Sequence, residues 1–354
     1  MTPDRDDILR ALENVIDPEL RKPVTELDMV RDVEIDGAAV TVTIALTVVG
    51  CPLRNSFQEQ VAEHVGGLPG VQRVELRFDV MSPDEKAALT TKLRGGRPEK
   101  SISLDPSTRV IAVASGKGGV GKSSLTVNLA AALDAIGQQV GLIDADVYGH
   151  SLPHMLGVNQ RPIVVDKMIV PPVRGRMKFI SIGSFMEDNA PVMWRGPMLH
   201  RALEQFLSDV HWGELDTVLV DMPPGTGDMA ISLGQLLPRA EVLVVTTPQP
   251  LAQEVAIRAA VMAQKTGQKL VGVVENMTGE MFGSGGGAKL ADELGVPLLG
   301  VVPLDAALRA AGDLGVPVVE AAPESESARA IVAIAESLAA TRQAAIRKPL
   351  TLLT

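Results

Sequence analysis

One short segment of the sequence combines glycines, a lysine and a hydroxyl group at the spacing of a phosphate-binding loop. Residues 116–123 read Gly-Lys-Gly-Gly-Val-Gly-Lys-Ser and follow an apolar run at 110–114. Glycines let successive backbone N–H groups face one anion, and the N-terminus of a following helix adds partial positive charge. The spacing predicts that Lys122 contacts the β- and γ-phosphates of a nucleotide and that Ser123 binds Mg²⁺. A glycine-rich turn without a ligand is the alternative. The predicted nucleotide-binding residues of the loop are Gly116, Lys117, Gly118, Gly119, Val120, Gly121, Lys122 and Ser123.

Acidic residues follow two further apolar runs. Asp144 and Asp146 come at the end of the run that begins at 140, and side chains at i and i+2 point to the same side of an extended chain. We predict that Asp146 orients the attacking water and that Asp144 supports the Mg²⁺ shell, although Asp144 could instead cap a turn. Asp221 ends the run at 218–220 and is predicted to hold Mg²⁺ through a water molecule.

Several other residues lie on the ligand side of the predicted strands. Gly225 follows Asp221 closely, and its lack of a side chain lets the backbone approach a γ-phosphate and move after hydrolysis. Asp228 is interpreted as a helix cap. Asn276 and Pro303 each follow a later apolar run and are predicted to contact the nucleotide. An asparagine amide can read both the donor and the acceptor of an adenine edge, and a turn asparagine is the alternative.

The elements that must position these residues alternate between short apolar runs and helical stretches. Continuous apolar strands separated by helices indicate a parallel sheet covered on both faces, and right-handed crossovers make it a doubly wound α/β domain. A final helix is predicted over 325–346. The apolar runs occupy 110–114, 140–143, 218–220, 242–245, 270–274 and 298–302.

The first 95 residues have a different pattern, typical of a small α+β unit. Apolar residues recur at helical spacing over 4–16 and alternate as in a strand over 40–46; a helix over 55–66 and a strand over 71–80 follow. The stretch after residue 94 is polar and rich in glycine and proline, as linkers are. The predicted organisation is a small α+β domain at 1–95, a linker at 96–108, a nucleotide-binding domain at 109–345 and a tail at 346–354.

The composition of the sequence narrows the classes of function that the protein can have. The 354 residues carry a formal net charge of −10 and only 3 % aromatic side chains, which argues against a nucleic-acid partner. No apolar run approaches the roughly 18 residues of a membrane-spanning helix, and the acidic N-terminus has no apolar signal core. The single cysteine excludes an intrachain disulfide. We therefore expect a cytoplasmic protein with neither a membrane nor a nucleic acid as partner.

The second lysine of the loop points to a particular class of nucleotide-binding protein. Lys117 directly follows Gly116, which resembles the deviant Walker A class of P-loop ATPases, including MinD, ParA and the nitrogenase iron protein. The resemblance implies an ATP-sandwich homodimer in which Lys117 crosses to the partner's nucleotide. A lysine supplied in trans stabilises transition-state charge only when two subunits close, so hydrolysis is expected to be slow and dimer-gated. A solvated loop lysine is the alternative.

Further segments resemble one branch of that class, the Mrp/ApbC iron–sulfur cluster carrier ATPases. The first 95 residues, with Asp17-Pro18-Glu19 and the stretch 46–53, resemble an accessory domain of iron–sulfur assembly. The resemblance implies an ATP- and Mg²⁺-dependent homodimer that assembles iron–sulfur clusters or transfers them to apoproteins. Over about residues 105–340, the segments that carry it are 144–153, 194–198, 221–228, 246–249 and 274–277.

The sequence departs from this family where a cluster is usually held. Many members carry a C-x-x-C pair shortly after the segment that matches 274–277, and two such pairs in a dimer supply the four thiolates of a cluster. Residues 277–287 contain no cysteine. Cys51 is the remaining thiolate, and both an iron–sulfur ligand and a small, partly buried turn residue are open interpretations. His150 also stands where the family usually has proline.

A metal-free, MinD/ParA-like switch that controls partner association is the alternative function. A MinD-like protein should end in a basic amphipathic helix, but residues 328–338 are alanine-rich and weakly basic. A ParA-like protein should carry a basic patch for DNA. The best local cluster, Arg174, Arg176 and Lys178, is interpreted as a solvated loop. An electron-transfer ATPase would need cysteine ligands that this part of the chain lacks.

Overall fold

The computed structural model describes residues 3–48, 53–95, 101–146, 149, 151–185, 196–225 and 228–346. The chain forms two compact units. The first comprises residues 1–103, 162–171 and 209–211, and the second comprises residues 104–161, 172–208 and 212–354.

The elements follow one another in a regular alternation after residue 109. The strands are β1 (Val30–Asp36), β2 (Ala39–Leu46), β3 (Arg73–Val80), β4 (Arg109–Ser115), β5 (Val140–Asp144), β6 (Ile163–Val165), β7 (Met168–Val170), β8 (Val173–Arg174), β9 (Met177–Ser181), β10 (Thr217–Asp221), β11 (Glu241–Thr246), β12 (Lys269–Thr278) and β13 (Leu298–Pro303). The helices are α1 (Arg5–Leu12), α2 (Arg54–His64), α3 (Pro83–Arg94), α4 (Lys122–Ala135), α5 (Leu152–Met155), α6 (Gly196–Ser208), α7 (Asp228–Leu236), α8 (Pro250–Lys265), α9 (Gly286–Leu294), α10 (Ala306–Asp313), α11 (Val318–Ala321) and α12 (Glu326–Ile346), with a 3₁₀ turn at Ile182–Phe185.

The first unit is built on a three-stranded sheet in which β2 lies between antiparallel β1 and parallel β3. Val40, Val42 and Ile44 of β2 are buried, as the period of two in a half-covered strand requires. Helix α1 begins with a capping box, in which Asp4 and Asp7 each accept the other's backbone N–H. These caps satisfy donors that the first helical turn leaves unpaired.

A β-hairpin from later in the chain completes the core of the first unit. β6 and β7 pair antiparallel, and Val165, Met168 and Val170 are buried in the same cluster as the apolar side chains of the first 95 residues. The Thr90 hydroxyl donates to the Val165 carbonyl oxygen at 3.2 Å. Strands of three residues are too short to show a period, so the sequence analysis did not predict this hairpin. The domain boundaries drawn from the sequence stay a prediction. The hairpin adds to the first unit a segment that is not contiguous with its first 103 residues.

In its described part, the second unit contains an eight-stranded sheet of order β13-β12-β11-β4-β10-β5-β9-β8. Only the edge pair β8–β9 is antiparallel there, and the other neighbours run parallel. Strands β4, β5, β10 and β11 are almost entirely buried, which explains their continuous apolar sequence. The expected α/β fold with a doubly wound, mostly parallel sheet is confirmed.

Helices cover both faces of this sheet. Helices α4 and α12 share a buried cluster with Ile111 and Val113 of β4. On the other face, α8 packs against β11 and β4, and its Ala259 lines the same cavity as Ala112 of β4. This arrangement leaves the carboxyl ends of the parallel strands free to carry the site, as in other doubly wound sheets.

The edge of the sheet corrects one expectation. Lys178 is 1 % exposed within β9, so the basic cluster is not a solvated loop. Arg174 forms an ion pair with Glu320 at 2.5 Å, and Arg176 forms one with Asp134 at 3.0 Å. The expectation was wrong because Lys178 interrupts the apolar sequence of β9, which is buried along its whole length. The charges of Arg174 and Arg176 are therefore paired with carboxylates of the fold.

The longest described helix, α12, has 21 residues, and the sequence predicted it to within one residue at its start. It buries Ile331, Ile334 and Leu338 against the second unit's core. Among the helices of the described residues, none is both long and apolar enough to cross a lipid bilayer.

Candidate functional site

The phosphate-binding loop connects β4 to α4. Strand β4 ends at Ser115 and α4 begins at Lys122, so the loop occupies 116–121. Gly119 and Gly121 have φ values of +80° and +77°, in the left-handed region that other residues avoid. This backbone path is what allows consecutive N–H groups to face a single anion at the helix N-terminus.

Gly116 meets a different requirement, the close approach of two backbones. A Cβ atom there would collide with the carbonyl carbon of Val255 and the amide nitrogen of Ala256 in α8. Gly118 and Gly119 are exposed, whereas Val120 is 2 % exposed. The base of the loop is therefore held against the fold, and its tip faces solvent.

The buried carboxylate of Asp221 collects three donors from α4. The Lys122 Nζ atom lies 2.7 Å from Asp221 Oδ1, the Ser123 hydroxyl donates to Oδ2 at 2.6 Å, and the Thr126 hydroxyl donates to Oδ1 at 3.0 Å. Lys122 is 6 % exposed and Asp221 is fully buried. An ion pair this deep must satisfy its remaining hydrogen-bonding positions, and the two hydroxyls do so.

Two further carboxylates stand beside this pair at the end of β5. Asp144 lies opposite Asp221 in the parallel register of β5 and β10. The Ser181 hydroxyl donates to Asp144 Oδ2 at 2.9 Å, and the backbone N–H of Asp146 donates to Asp144 Oδ1 at 3.2 Å. Asp146 Oδ2 lies 3.7 Å from Lys122 Nζ. The structure thus brings Lys122, Asp144, Asp146 and Asp221 together, as the sequence predicted they would be.

Burial perturbs the acidity of both central carboxyls. Burial raises the pKa of Asp144 to about 7, with a further contribution from the neighbouring charge of Asp221, and the bond from Ser181 opposes the shift. Burial also raises the pKa of Asp221, against the opposing effects of Lys122 and the two hydroxyls. Both shifts describe carboxyls that a cation would help to ionise.

The glycine predicted to sense a γ-phosphate lies next to the loop. Gly225 has a φ of +95°, and its N–H donates to the Ser115 carbonyl oxygen at 2.8 Å. Helix α7 begins at Asp228, so this residue opens the helix, and the two residues before it lie outside the described part of the chain. The N–H of Gly225 must leave Ser115 before it can donate to a phosphate.

Lys117 is half-buried at the tip of the loop. The Ser115 hydroxyl donates to its carbonyl oxygen at 3.1 Å. Among the described residues, the structure records no hydrogen bond or ion pair for its ammonium group. Its action across a dimer interface stays a prediction.

Two further residues predicted to contact the nucleotide, Asn276 and Pro303, lie near the carboxyl ends of neighbouring strands. Asn276 is 3 % exposed, and its amide Nδ2 donates to the Val120 carbonyl oxygen at 2.8 Å. The side chain also lies so close to Gly121 that a Cβ on the glycine would collide with it. Pro303 ends β13 beside Thr278. Asn276 therefore braces the phosphate-binding loop from behind, a contact that the sequence did not reveal, and its reading of a base stays a prediction.

Glu275 is a buried carboxylate to which the sequence analysis gave no role. Its Oε1 accepts the Gly285 N–H at 2.9 Å, and its Oε2 accepts the Gly287 N–H at 2.5 Å. Both donors lie at the start of α9, where the helix dipole favours negative charge. The run of glycines before α9 was the sequence signal that could have indicated this contact. Glu275 fixes one end of the 279–285 loop, in the stretch where many family members carry the C-x-x-C pair.

The candidate iron–sulfur ligand Cys51 lies outside the described residues, as does His150. Within the parts of the chain that the structure describes, no group of three or more His, Cys, Asp or Glu side chains is arranged to hold a metal ion. The chemistry that the described residues can perform is therefore that of the phosphate-binding loop and its carboxylates.

Two family models match the chain. Residues 107–339 match the model described as NUBPL iron-transfer P-loop NTPase. Residues 5–76 match the model described as iron-sulfur cluster assembly protein. The first match covers the loop and both carboxylate segments of the site.

Close relatives share a name and nearly the full length. The iron-sulfur cluster carrier protein of Mycobacterium leprae (strain TN) is 51 % identical, over 94 % of this chain and 92 % of its own. The protein of that name from Bacillus subtilis (strain 168) is 43 % identical, over 84 % of this chain and 88 % of its own.

Solved structures resemble the second unit. The nucleotide-binding protein of Archaeoglobus fulgidus in complex with ADP is 33 % identical, covers 62 % of this chain and 93 % of its own, and superposes with a TM-score of 0.52. The septum site-determining protein MinD of Pyrococcus horikoshii OT3, complexed with Mg-ADP, is 26 % identical over 66 % of this chain and 98 % of its own, with a TM-score of 0.52. These similarities confirm the resemblance drawn from the motifs.

Proposed function

The chain belongs to the family of NUBPL iron-transfer P-loop NTPases, and from that premise we propose that it is a homodimeric ATPase acting in iron–sulfur cluster assembly or transfer to apoproteins. Nucleotide hydrolysis is the general activity of this type of protein. The choice of ATP, the dimer, the cytoplasmic location and the apo iron–sulfur or assembly proteins as partners are parts of the proposal.

The observation that carries the proposal is the convergence of three α4 donors on Asp221 at the end of a buried strand. These residues fit a nucleotide with its cation, because the loop amides, Lys122 and the helix N-terminus supply positive charge and Asp221 supplies negative charge. Lys122 exchanges Asp221 for phosphate oxygens, which frees Asp221 and the Ser123 hydroxyl to hold Mg²⁺ with support from Asp144. Bound Mg²⁺ neutralises charge on the β- and γ-phosphates.

Hydrolysis needs an oriented water molecule. The Lys122 Nζ atom lies 2.7 Å from Asp221 Oδ1 and 3.7 Å from Asp146 Oδ2. Asp146 is therefore the carboxylate beside Lys122 that is not its main partner. It accepts a hydrogen bond from the attacking water in our proposal. Gly225 then turns its N–H from Ser115 to the γ-phosphate, which links the nucleotide state to the start of α7.

Dimer gating rests on Lys117. Its side chain is half-buried beside the exposed Gly118 and Gly119, and its ammonium group has no recorded partner among the described residues. In the dimer, the Lys117 ammonium group of one subunit reaches the γ-phosphate bound by the other subunit, where it acts as an arginine finger does. Turnover is slow because the site is complete only while two subunits are closed.

The iron–sulfur cluster is cargo in this proposal, and Cys51 is the candidate thiolate that holds it. Two Cys51 side chains in a dimer supply half of an all-cysteine ligand set, so a client or another ligand type completes it. Support comes from the names of the full-length relatives and from the match of residues 5–76 to an assembly-protein model.

One observation favours a second function, a metal-free nucleotide switch that controls partner association. The stretch 277–287 contains no cysteine. A switch of this kind needs the nucleotide-dependent dimer and no cluster.

Anaerobic reconstitution separates the two functions. The full-length protein and its Cys51→Ala variant are incubated with iron and sulfide, and both elements are quantified per dimer after desalting. Stoichiometric cluster in the native protein, lost in the variant, supports a carrier site at Cys51. Absence of cluster from both proteins contradicts carriage and leaves the metal-free switch. Unchanged ADP binding by the variant shows that the fold is intact.

A further inference from the structure

A cavity of about 660 Å³ opens beside the phosphate-binding loop and continues under α7 along one face of the central sheet. Ser123, Asp146 and Gly225 line its mouth, and Gln268, just before β12, lines its far end. Because Gln268 stands at the amino end of a strand and Gly225 follows the carboxyl end of another, the cavity spans the height of the sheet. It extends from the predicted γ-phosphate position, and neither Asn276 nor Pro303, both predicted to contact the nucleotide, lines it.

The cavity exists because small side chains face one another across it. Strand β4 turns Ile111 and Val113 into the dense core on one face and Ala112 and Ala114 toward the cavity on the other. An alanine at these positions leaves space that a longer side chain fills. Apolar side chains form the rest of the inner wall, namely Met222, Met229, Leu233, Val242, Ala259 and Ala263.

One polar group faces this apolar space without a partner. The Gln268 side chain is 4 % exposed, and its Oε1 meets the Thr266 hydroxyl at 3.2 Å. Its Nε2 has no hydrogen-bond partner. A buried amide left unpaired destabilises the fold, so a partner that reaches it is favoured. The Thr266 hydroxyl can donate or accept, so either end of the amide can be the free one.

Tight packing at the far end shows that α7 has not simply lifted away. A Cβ on Gly234 of α7 would lie 2.8 Å from the Cβ of Thr266, so the helix and the α8–β12 turn are already in close contact. The space therefore lies between a seated helix and the sheet, and it opens beside the phosphate-binding loop. Its volume, with this mouth included, falls within the range of small-molecule sites, roughly 300–1,000 Å³.

We propose that this cavity binds a small, mostly apolar molecule carrying one hydrogen-bonding group. The apolar body packs against the alanines of β4 and α8, and the polar group pairs with the free end of the Gln268 amide. Helix α7, which forms one wall, begins three residues after Gly225. A bound molecule therefore lies directly beneath the segment proposed to respond to the γ-phosphate. This site does not depend on iron–sulfur transfer, and its failure leaves the proposed function untouched.

Phenol and toluene test the proposal as a matched pair of probes, because they share a ring and differ by one hydroxyl group. Binding to the nucleotide-free, full-length protein is measured by saturation-transfer NMR. Gln268→Leu removes the amide and keeps its size. We expect both probes to bind the native protein, and the ratio of phenol to toluene affinity to fall by about fivefold in the variant. ADP affinity serves as the control for the fold and stays within about twofold, because Gln268 is remote from the loop.

Ala263→Leu is the second variant, since it fills the inner part of the cavity. We expect affinity for both probes to fall by at least about tenfold and the melting temperature to rise, because the added methyl groups enter empty space. Absence of probe binding to the native protein would overturn the proposal. So would an unchanged phenol-to-toluene ratio in Gln268→Leu, or a lower melting temperature in Ala263→Leu, which would show that the space is already filled.

Discussion

At the scale of single residues, the site is dominated by the buried pair of Lys122 and Asp221. Removing either partner from such a pair leaves an uncompensated charge in a low-dielectric setting. The Ser123 and Thr126 hydroxyls satisfy the remaining lone pairs of the carboxylate. The pair therefore holds the nucleotide-free site in order. In the proposed function, the phosphates of the nucleotide take the place of Asp221 beside Lys122.

Alanine substitutions distinguish the roles of the two lysines of the loop. Lys122→Ala removes the cation that meets the phosphates, so we expect nucleotide affinity to fall by at least about a hundredfold in a calorimetric titration. Lys117→Ala is the matched control, and it should bind ATP normally and fail to hydrolyse it. Unchanged ATP affinity in Lys122→Ala would contradict the assignment of the loop.

Asp144 gives the nucleotide-free protein a pH dependence of predictable sign. Its pKa is raised to about 7 from an ordinary value of 3.8, so the folded state binds the proton more tightly than the unfolded state. Its contribution to stability is full below pH about 4 and is lost as the pH rises through about 7, with a slope of at most about 1.4 kcal/mol per pH unit.

Asp144→Asn removes this titration. In urea unfolding between pH 5.5 and 8, without nucleotide or Mg²⁺, we expect the native protein to lose stability relative to the variant as the pH rises. Parallel pH profiles for the two proteins would contradict the shift. With Mg²⁺ and nucleotide present, the native protein should gain more stability at pH 8 than at pH 5.5, because the cation favours the ionised carboxyl.

At the scale of elements, the sequence predicted most of the strands that are buried on both faces. Strands β4, β5, β10 and β11 read as continuous apolar runs because helices cover them above and below. The short hairpin β6–β7 and the edge strand β8 were missed, since two or three residues carry little periodicity. Strand β9 was missed because Lys178 broke its apolar pattern. Motif spacing also placed Lys122 and Ser123 correctly at the start of α4, but no local signal joins Asn276 to Val120, 156 residues away.

Helix α9 depends on a carboxylate outside itself. Glu275 accepts both Gly285 and Gly287 N–H groups, so Glu275→Gln loses the charge and one acceptor at the helix start. We expect the free energy of unfolding to fall by about 1–3 kcal/mol and amide exchange to accelerate in the first turn of α9. Glu280→Gln, an exposed change in the same loop, is the control and should leave both quantities unchanged. Equal effects of the two substitutions would contradict the role of Glu275.

At the scale of the whole molecule, the proposed function requires a symmetric pair of subunits. In a two-fold dimer each subunit gives and receives the same contact, so each nucleotide receives one Lys117 from the other chain. The chain's own Lys122, Asp144, Asp146 and Asp221 form the rest of each site. Catalysis by such a dimer requires residues from both subunits at every active site.

Mixing two inactive variants tests this claim most directly. Lys117→Ala subunits lack the lysine that enters the partner's active site, and Asp146→Asn subunits lack the carboxylate of their own active site. Each variant alone should therefore hydrolyse almost no ATP. In an equimolar mixture, half of the dimers are mixed and each has one complete site. The account predicts that the mixture recovers about a quarter of the native ATPase activity. Mixed dimers that form and stay as inactive as their components, or full turnover by Lys117→Ala alone, would contradict it.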